Sequence, residues 1–477
     1  MTTFKSNALV EIKDKEWLKQ FHLRAEDKNG KEKIVGVYDY AIFNDILQND
    51  DMFVLGNTVY LYDNGYYKPD QSEAVLSSMI RTHIYPKWIK SNVLTRVHKL
   101  FLKAVELQVT PSDLNKYPQE WICFKNGMFD PVSWKMHAHD PRYNCVNQTA
   151  MSFNPDAKLK SDLIDEWLEY AFPEPDDREM LLQYSGYSMT KDMRQQKFLI
   201  LKGEGGTGKS TLLSLIESII GEENTSHVSM KEMTERFFAA GLMGKLMNNC
   251  ADIESTPLED ATLLKKIFGN DFVTIERKGE NGFSAKLYAK MIFSANEIPT
   301  IKNEVTRGFF RKLLVLPMQK APANPQADFM EKLKEGAPYF LQLCMEALHR
   351  MYQTGHILES KHSQEAVKQL RMDCDSAEAF LTECAEIIPT GRTERGVLYH
   401  RYKDYCDSEQ RQPLSNKNFF KALRAKGFVD SKSGDVYYFR GISVTGKSPT
   451  SALNCPESAL QSTLPSYIEV DATDFPF

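Results

Sequence analysis

The chain reads KFLILKGEGGTGKST from Lys197 to Thr211, followed by LLSLIESII as far as Gly221. The apolar run KFLIL is typical of a short buried strand, and the second apolar stretch predicts a helix that stops at the glycine. Between them, GEGGTGKS fits the pattern G-x-x-x-x-G-K-[ST]. A strand, a glycine-rich loop and a helix in this order are the context that the pattern requires, so the stretch predicts a P-loop.

Each part of the predicted P-loop has a chemical role. Glycines let backbone N–H groups and the helix N-terminus approach nucleotide phosphates closely. The Lys209 ammonium is expected to neutralise the β- and γ-phosphates, and the Ser210 hydroxyl to hold Mg²⁺. We therefore predict ATP and Mg²⁺ as cofactors. The predicted nucleotide contacts are Gly203, Glu204, Gly205, Gly206, Thr207, Gly208, Lys209, Ser210 and Thr211.

Two later strands predict polar groups at the same edge of the sheet. GKLMNNCADIE, from Gly244, reads as a strand ending in acids, where Asp252, or else Glu254, would coordinate Mg²⁺ and polarise the attacking water. LYAKMIFSA, from Leu287, reads as a strand that delivers Asn296, whose amide can orient the water or contact the γ-phosphate. We predict catalytic roles for Lys209, Asp252, Glu254 and Asn296, and Mg²⁺ contacts from Ser210 and Asp252.

Basic residues precede a fourth predicted strand. TRGFFRKLLVLP, from Thr306, places Arg307, Arg311 and Lys312 just before it. In ring ATPases an arginine that reaches the phosphate of a neighbouring subunit couples the subunits, and its planar, permanently charged guanidinium suits this task. We therefore expect an arginine of this stretch to be a catalytic residue acting in trans, and the resemblance described next points to Arg311.

Five motifs in this order resemble those of the superfamily 3 helicases, specifically the helicase module of phage and plasmid primase-helicases related to the poxvirus replication helicase. The motifs are GEGGTGKST, KLMNNCADIES, LLKKIFGNDFVTIERKG, KMIFSANEIP and GFFRKLLVLP, with FKNGMFD and LLQYSGYSM upstream. The resemblance covers about residues 50 to 320. It implies an AAA+-like core, a homo-hexameric ring around DNA, ATP-driven translocation, usually with 3′ to 5′ polarity, and a role in phage or mobile-element replication.

The resemblance assigns roles one position at a time. It matches Asn296 to the family's sensor and Arg311 to the first arginine of a finger pair, and it agrees with the P-loop and acidic residues named above. The chain departs from the family at Lys312, which replaces the second arginine, and at Ala251, where an acid often precedes Asp252. No primase domain or zinc ribbon is recognisable before the N-terminal part, so we expect a separate primase.

Basic residues in two places predict contacts to single-stranded or forked DNA. The hairpin predicted at TIERKGENGFSAKL is locally basic, and the family has a pore hairpin there. Near the C-terminus, SNKNFFKALRAKG predicts a helix with apolar residues on one face and basic residues on the other. Such residues grip backbone phosphates without reading sequence. The predicted DNA contacts are Arg277, Lys278, Lys417, Lys421 and Arg424.

The overall charge limits the kind of nucleic-acid contact. Across 477 residues the net charge is −5, which excludes a polycation that coats DNA but not a local basic channel. A charged N-terminus and the lack of a long apolar run predict a cytoplasmic protein with no membrane contact, and the resemblance to phage and plasmid proteins implies the cytoplasm of a bacterial host. The tip Asp471 to Phe477 resembles the acidic Pro-Phe tip of bacterial single-stranded DNA-binding proteins, which implies recruitment of host replication proteins.

We expect an α/β protein: an AAA+-like P-loop ATPase core with an α+β N-terminal domain, a helical collar and a C-terminal winged-helix domain. The predicted boundaries are 1–155 for the N-terminal domain of primase-helicase type, 156–195 for the collar, through which subunits would associate, 196–320 for the core, 321–375 for a helical lid or linker, 376–446 for the winged helix and 447–477 for a disordered acidic tail.

Three functions compete at this point. The leading one is a hexameric, ATP-dependent DNA helicase. The first alternative is an origin-binding replication initiator or loader in which ATP is an assembly switch. The second is a P-loop small-molecule kinase, which predicts neither a ring nor a response to DNA; Arg311 and the basic hairpin count against it.

Overall fold

The computed structural model describes residues 15–235, 237–251, 262–276, 282–299, 307–318, 320–321, 328–409 and 411–444. The chain divides into two compact units, Met1–Lys368 and Gln369–Phe477. Within the described ranges, no helix combines the length and the apolar character needed to cross a membrane.

Within the described residues, the N-terminal part of the first unit contains small, mainly antiparallel sheets and four α-helices. β4 and β5 form a hairpin: they pair from Tyr60 with Pro69 to Asp63 with Tyr66, and the turn residues Asn64 and Gly65 both have positive φ. The elements are α1 Lys15–Leu18, β1 His22–Glu26, β2 Glu32–Val37, α2 Asp39–Asn49, β3 Met52–Leu55, β4 Thr58–Asp63, β5 Tyr66–Pro69, α3 Ala74–Thr82, α4 Ser91–Lys103, β6 Gln108–Val109, β7 Ile122–Phe124, β8 Gly127–Asp130 and β9 Lys135–His137.

Two helices follow, α5 Asp162–Ala171 and α6 Pro175–Tyr187. The Ser161 hydroxyl caps α5 by accepting a hydrogen bond from the Ile164 N–H, and Pro175 occupies the first turn of α6. Most of α6 is buried, and the Tyr184 hydroxyl donates to the Met291 carbonyl at 2.9 Å. The second helix of the predicted collar therefore belongs to the core of its own chain.

A five-stranded parallel sheet forms the centre of the first unit. Its strand order is β11-β12-β15-β10-β16, so the strand that leads into the glycine-rich loop lies between β15 and β16. The four strands and the helix predicted around the motifs are confirmed. The elements are β10 Phe198–Lys202, α7 Lys209–Ile220, β11 Thr225–Ser226, β12 Met247–Cys250, α8 Thr262–Phe268, β13 Val273–Ile275, β14 Phe283–Ala285, β15 Lys290–Ala295, α9 Arg307–Phe310, β16 Leu313–Pro317, α10 Phe329–Glu335, α11 Ala337–Thr354 and α12 Lys361–Cys374.

The N-terminal part and the parallel sheet share one apolar core. Ile122, Phe124, Phe129 and Phe153 are buried in the same cluster as the strands of the sheet and the inner face of α7. The buried Asn147 adds a polar attachment. Its Nδ2 donates to the Asn224 side chain at 2.9 Å and to the Gly244 carbonyl at 2.7 Å, and its Oδ1 accepts from the Tyr288 hydroxyl at 2.8 Å.

The second unit packs three helices against a three-stranded sheet of order β17-β19-β18. The Ser415 hydroxyl caps α15 by accepting from the Asn418 N–H at 3.4 Å. The helix α13 ends at Cys384, because the next residues pair with β19 and form the strand β17. The elements are α13 Ser376–Cys384, β17 Ala385–Glu394, α14 Arg395–Ser408, α15 Asn416–Ala425, β18 Val429–Ser433 and β19 Val436–Val444.

Candidate functional site

The stretch from Gly203 to Thr211, called here the glycine loop, runs from the end of β10 into the first turn of α7. Two of its glycines, Gly206 and Gly208, have φ of 83° and 92°, in the left-handed region that side chains disfavour. Gly203 is required for a different reason, since a Cβ atom there would lie 2.1 Å from the Met318 carbonyl oxygen. The glycines thus allow both the turn and its close packing against the chain that follows β16.

Lys209, the first residue of α7, points its ammonium group into the glycine loop. The residue is only 5% exposed. Its Nζ donates to the Gly203 carbonyl at 2.5 Å, to the Glu204 carbonyl at 2.8 Å and to the Asn296 Oδ1 at 3.0 Å. All three of its N–H groups are therefore used, and the charge is fixed beside the backbone of the loop.

The outer face of the glycine loop is open to solvent. Glu204, Gly205 and Gly206 are exposed, and a Cβ atom at Gly205 would meet nothing within 4 Å. Thr207 is buried and its hydroxyl donates to the Glu204 carbonyl at 2.9 Å, which braces the loop from inside. Ser210 is exposed in the first turn of α7, where an N-terminal helix end favours anions.

Asn296 reaches Lys209 because of the register between two parallel strands. Lys202, the last residue of β10, lies opposite Ala295, the last residue of β15. The next residues, Gly203 and Asn296, therefore leave the sheet side by side at its carboxyl edge. The exposed Asn296 follows β15 as predicted, and the structure brings it together with Lys209.

The neighbouring strand β12 carries two asparagines that the sequence left unexplained. Asn248 is fully buried: its Oδ1 accepts from the Val228 N–H at 2.8 Å, and its Nδ2 donates to the Val228 carbonyl at 2.8 Å. The Asn249 Nδ2 donates to the Glu217 carboxylate at 3.1 Å. The asparagines tie β12 to the chain after β11 and to α7. The predicted acids Asp252 and Glu254 lie outside the described residues.

Arg311 lies at the other end of the sheet. In the pairing of β16 with β10, Leu313 is opposite Phe198 and Pro317 is opposite Lys202, so the residues before Leu313 lie at the edge away from the glycine loop. Arg311 is exposed, and its carbonyl accepts from the Lys197 Nζ at 2.5 Å. Six strand positions separate it from the carboxyl edge, about 20 Å at ordinary strand rise. The side chain of Arg307 is not described.

The two predicted DNA-binding elements are described to different extents. In the basic hairpin, β13 and β14 pair antiparallel as predicted, with Thr274 opposite Ser284, whereas Arg277 and Lys278 lie outside the described residues. In α15, Phe419, Phe420 and Leu423 are buried, and Lys417, Lys421 and Arg424 are exposed. The Arg424 Nε donates to the Asp430 carboxylate at 2.5 Å, so that its charge is already partly neutralised.

The structure also contains a buried lysine that sequence reasoning missed. Lys290 begins β15 and is 1% exposed; its Nζ donates to the Thr190 carbonyl at 2.5 Å and to the Tyr288 carbonyl at 3.1 Å. Burial lowers the pKa of Lys290 to about 7, and the nearby Asp192 partly opposes that shift. A lysine inside an apolar strand is a signal for such a site, but the sequence does not give its partners.

Two family models match different parts of the chain. Residues 7–173 match the family described as D5 N terminal like, and residues 201–308 match a family of unknown function, DUF5906. The second match contains the glycine loop, β12 and β15. The first covers the N-terminal part and α5, and it ends just before α6 begins.

The curated proteins that the chain resembles share little sequence identity with it. The chain is 22% identical over 347 residues to "Putative helicase L207/L206" of Acanthamoeba polyphaga mimivirus, a match that covers 62% of this chain and 36% of that protein. It therefore spans only about a third of that relative. It is 23% identical over 125 residues to the uncharacterized mitochondrial protein ymf21 of Marchantia polymorpha, covering 24% of this chain and 69% of that one.

Among solved structures, the apo C terminal region of NrS-1 aligns with a TM-score of 0.49 and 13% identity, over 85% of this chain and 98% of that one.

The fold described above is an α/β protein with a glycine loop at the carboxyl edge of a parallel sheet. The N-terminal part of the chain is therefore similar to the D5 N terminal like family, and 62% of the chain is distantly similar to a viral protein described as a putative helicase.

Proposed function

We propose that the chain is an ATP-dependent DNA helicase that unwinds DNA in phage or mobile-element replication. The observation that carries the proposal is the meeting of Lys209 and Asn296 at 3.0 Å beside the glycine loop, whose outer face is open to solvent. An ammonium and an amide held next to a glycine-rich loop and a helix N-terminus suit the β- and γ-phosphates of ATP.

The proposed chemistry is hydrolysis of the γ-phosphate. Lys209 would neutralise the phosphate oxygens, Ser210 would hold Mg²⁺ from the first turn of α7, and Asn296 would orient the lytic water. Asp252 is the first candidate for the carboxylate that coordinates Mg²⁺ and polarises the attacking water, and Glu254 is the second candidate for that role. Both follow β12, which pairs directly with β15.

The proposed assembly is a homo-hexameric ring with an AAA+-like core. Arg311 supports it, because the residue lies about 20 Å from the glycine loop of its own chain and is exposed. An arginine in that position can stabilise transition-state charge only in another subunit. In the ring, Arg277 and Lys278 would line the pore. A winged-helix-like second unit would present Lys417 and Lys421 to DNA. Translocation along the DNA would have 3′ to 5′ polarity, as in the helicases that the chain resembles.

The test combines nucleotide hydrolysis with strand displacement. Lys209→Ala should abolish ATP hydrolysis by removing the charge that binds the phosphates, whereas Lys125→Ala, an exposed lysine outside the site, should hydrolyse ATP like the wild type. Wild-type protein should hydrolyse ATP faster with single-stranded DNA and should separate a forked duplex. Normal hydrolysis by Lys209→Ala would refute the site, and site-specific duplex binding without strand displacement would favour an initiator or loader.

Electron microscopy with an ATP analogue and forked DNA would test the assembly. The expected result is a six-membered ring with one strand in its central channel. A monomer or a dimer at every concentration would contradict the proposed ring and the trans role of Arg311 together.

A further inference from the structure

A basic stretch without acids runs through the N-terminal part of the chain, away from the proposed nucleotide site. Residues 74–105 contain no Asp or Glu. Their Lys and Arg side chains are all exposed. These residues are Arg81, Lys87, Lys90, Arg96, Lys99 and Lys103. Charged surface residues are common, but a stretch of this length with a single sign is a local field that attracts polyanions.

Helix α4 arranges part of this charge in one stripe. Val93, Val97 and Phe101 are buried on its inner face. On the outer face Arg96, Lys99 and Lys103 follow at intervals of three and four residues, which places them along one side of the helix. The stripe is therefore a consequence of the amphipathic pattern.

The stripe borders a groove that contains two exposed aromatic rings. The groove has a volume of about 520 Å³. It is formed by residues 37–40, from the end of β2 to the start of α2, together with Arg96, Lys99 and Leu100 of α4. Tyr38 is 46% exposed and Tyr40 is 55% exposed. The Tyr40 ring also stacks on Phe43 with 5.8 Å between ring centroids, which limits its motion. An exposed flat ring beside cations is the arrangement on which unpaired bases stack.

The acids near the groove are already engaged. Asp39 accepts hydrogen bonds from the Arg96 Nε at 2.7 Å and from its Nη2 at 3.1 Å, which leaves the remaining Nη1 face of the guanidinium toward the surface. Asp45, the other acid of α2, contacts the His83 Nε2 at 3.0 Å. The pair with Asp39 orients Arg96 but removes one positive charge, so Lys99 and Lys103 carry most of the remaining field.

We propose that this groove and the α4 stripe bind single-stranded DNA, with phosphates on Lys99 and Lys103 and an unpaired base stacked on Tyr40. Single strands fit better than duplex because the bases of a duplex are already stacked on each other and cannot lie on the ring. The size of the groove is in the range that holds a small ligand such as a base with its sugar. The inference rests on the proposed function, since it supposes that the chain acts on DNA.

The first test is fluorescence anisotropy of the full chain with a labelled oligothymidylate of about twenty nucleotides, longer than the site of a single binding fold. Lys99→Gln/Lys103→Gln should bind about tenfold or more weakly near 0.1 M salt, and the slope of log Kd against log salt should fall by about 1.4, because each lost phosphate contact removes about 0.7. The matched control is Lys125→Gln/Lys135→Gln, which removes two exposed lysines elsewhere in the N-terminal part and should leave Kd and slope unchanged.

The second test separates stacking from charge. Tyr40→Ala should weaken oligothymidylate binding about tenfold with an unchanged salt slope, and Tyr40→Phe should restore it, because the ring and not the hydroxyl stacks. Thermal unfolding of each variant checks that the fold persists. Binding of Tyr40→Phe as weak as that of Tyr40→Ala would overturn the stacking role.

The outcomes distinguish this proposal from the proposed function. If wild-type protein binds DNA and the lysine variant binds equally well, the groove proposal is overturned and the helicase proposal stands. If wild-type protein binds no DNA, both fall. If the lysine variant keeps its DNA affinity but loses binding to polyglutamate, the groove is a site for an acidic protein and the DNA proposal is wrong.

Discussion

The Nζ atom of Lys209 lies 3.0 Å from the Oδ1 atom of Asn296, so that a side-chain hydrogen bond joins the first residue of α7 to the residue that follows β15. A phosphate oxygen is a stronger acceptor than an amide oxygen because it is charged. We expect ATP to take over the Lys209 ammonium and to release the Asn296 amide for contact with water. The Asn296 amide would then contact water only when a γ-phosphate is bound.

Asn296→Ala should therefore lower kcat for ATP hydrolysis about a hundredfold with little change in nucleotide affinity, as is typical when one preorganised polar contact is lost. Asn296→Asp should behave differently, because a carboxylate would hold Lys209 in an ion pair and weaken nucleotide binding itself. Steady-state hydrolysis and titration with a fluorescent ATP analogue measure the two effects. Wild-type turnover in both variants would show that Asn296 has no part in the reaction.

Two glycines of the loop provide a matched pair. Gly203→Ala should destabilise the first unit by about 1–3 kcal/mol, because its Cβ atom would lie 2.1 Å from the Met318 carbonyl oxygen and the backbone must move. Gly205→Ala has open space around it and should change the free energy of unfolding by less than about 0.5 kcal/mol. Urea unfolding of both variants makes the comparison, and equal stabilities would contradict the close packing at Gly203.

The position of Arg311 predicts rescue between subunits. Arg311→Ala should bind nucleotide but hydrolyse it about a thousandfold more slowly, in the range known for the loss of an arginine finger. Mixed with Lys209→Ala protein, it should regain part of the activity, because one mixed interface then has both an intact loop and an intact arginine. Arg142→Ala, which removes an exposed arginine of the N-terminal part, is the control and should hydrolyse ATP normally. Absence of rescue at every mixing ratio would argue against action in trans.

Lys290 predicts a pH dependence of stability. Its pKa is about 7 in the folded chain against an ordinary value of 10.5, so between these values the unfolded chain binds more protons at this residue than the folded chain. The residue therefore makes the free energy of unfolding rise with pH over this window, and it contributes no slope well below pH 7. Lys290→Met should remove this contribution. The free energy of unfolding of the wild type should therefore increase relative to that of the variant as pH rises.

Urea unfolding near pH 7 and near pH 9.5 measures the difference. Lys135→Met, at an exposed lysine of β9, is the control. Its free energy of unfolding should change between the two pH values by the same amount as that of the wild type. A Lys290→Met variant with the same pH slope as the wild type would show that Lys290 stays charged in the folded chain.

The sequence predicts the local parts of this protein well. β10, the glycine loop and α7 follow from a contiguous pattern, and the ends at Lys202, Lys209 and Gly221 are visible in the residues themselves. The pairing of Lys209 with Asn296 depends on strand register over a long stretch of chain, so a sequence pattern could place Asn296 at the correct edge but not at a distance. The predicted acids and pore residues lie outside the described residues and stay predictions.

Other features depend on partners that no local pattern shows. β17 exists because residues from Ala385 find β19 as a neighbour, although the same residues continue a helical pattern. Asn248 and Asn249 looked out of place in a buried strand, and only their contacts to Val228 and Glu217 explain them. The lowered pKa of Lys290 likewise depends on burial under α6, which is a property of the packed chain.

The core shared by the N-terminal part and the parallel sheet affects how the gene can be divided. A fragment that starts at residue 156 would lack Ile122, Phe124, Phe129 and Phe153 and would expose the apolar surface they cover, including part of α7. Any division of the gene therefore has to keep the residues from 122 onward together with the glycine loop.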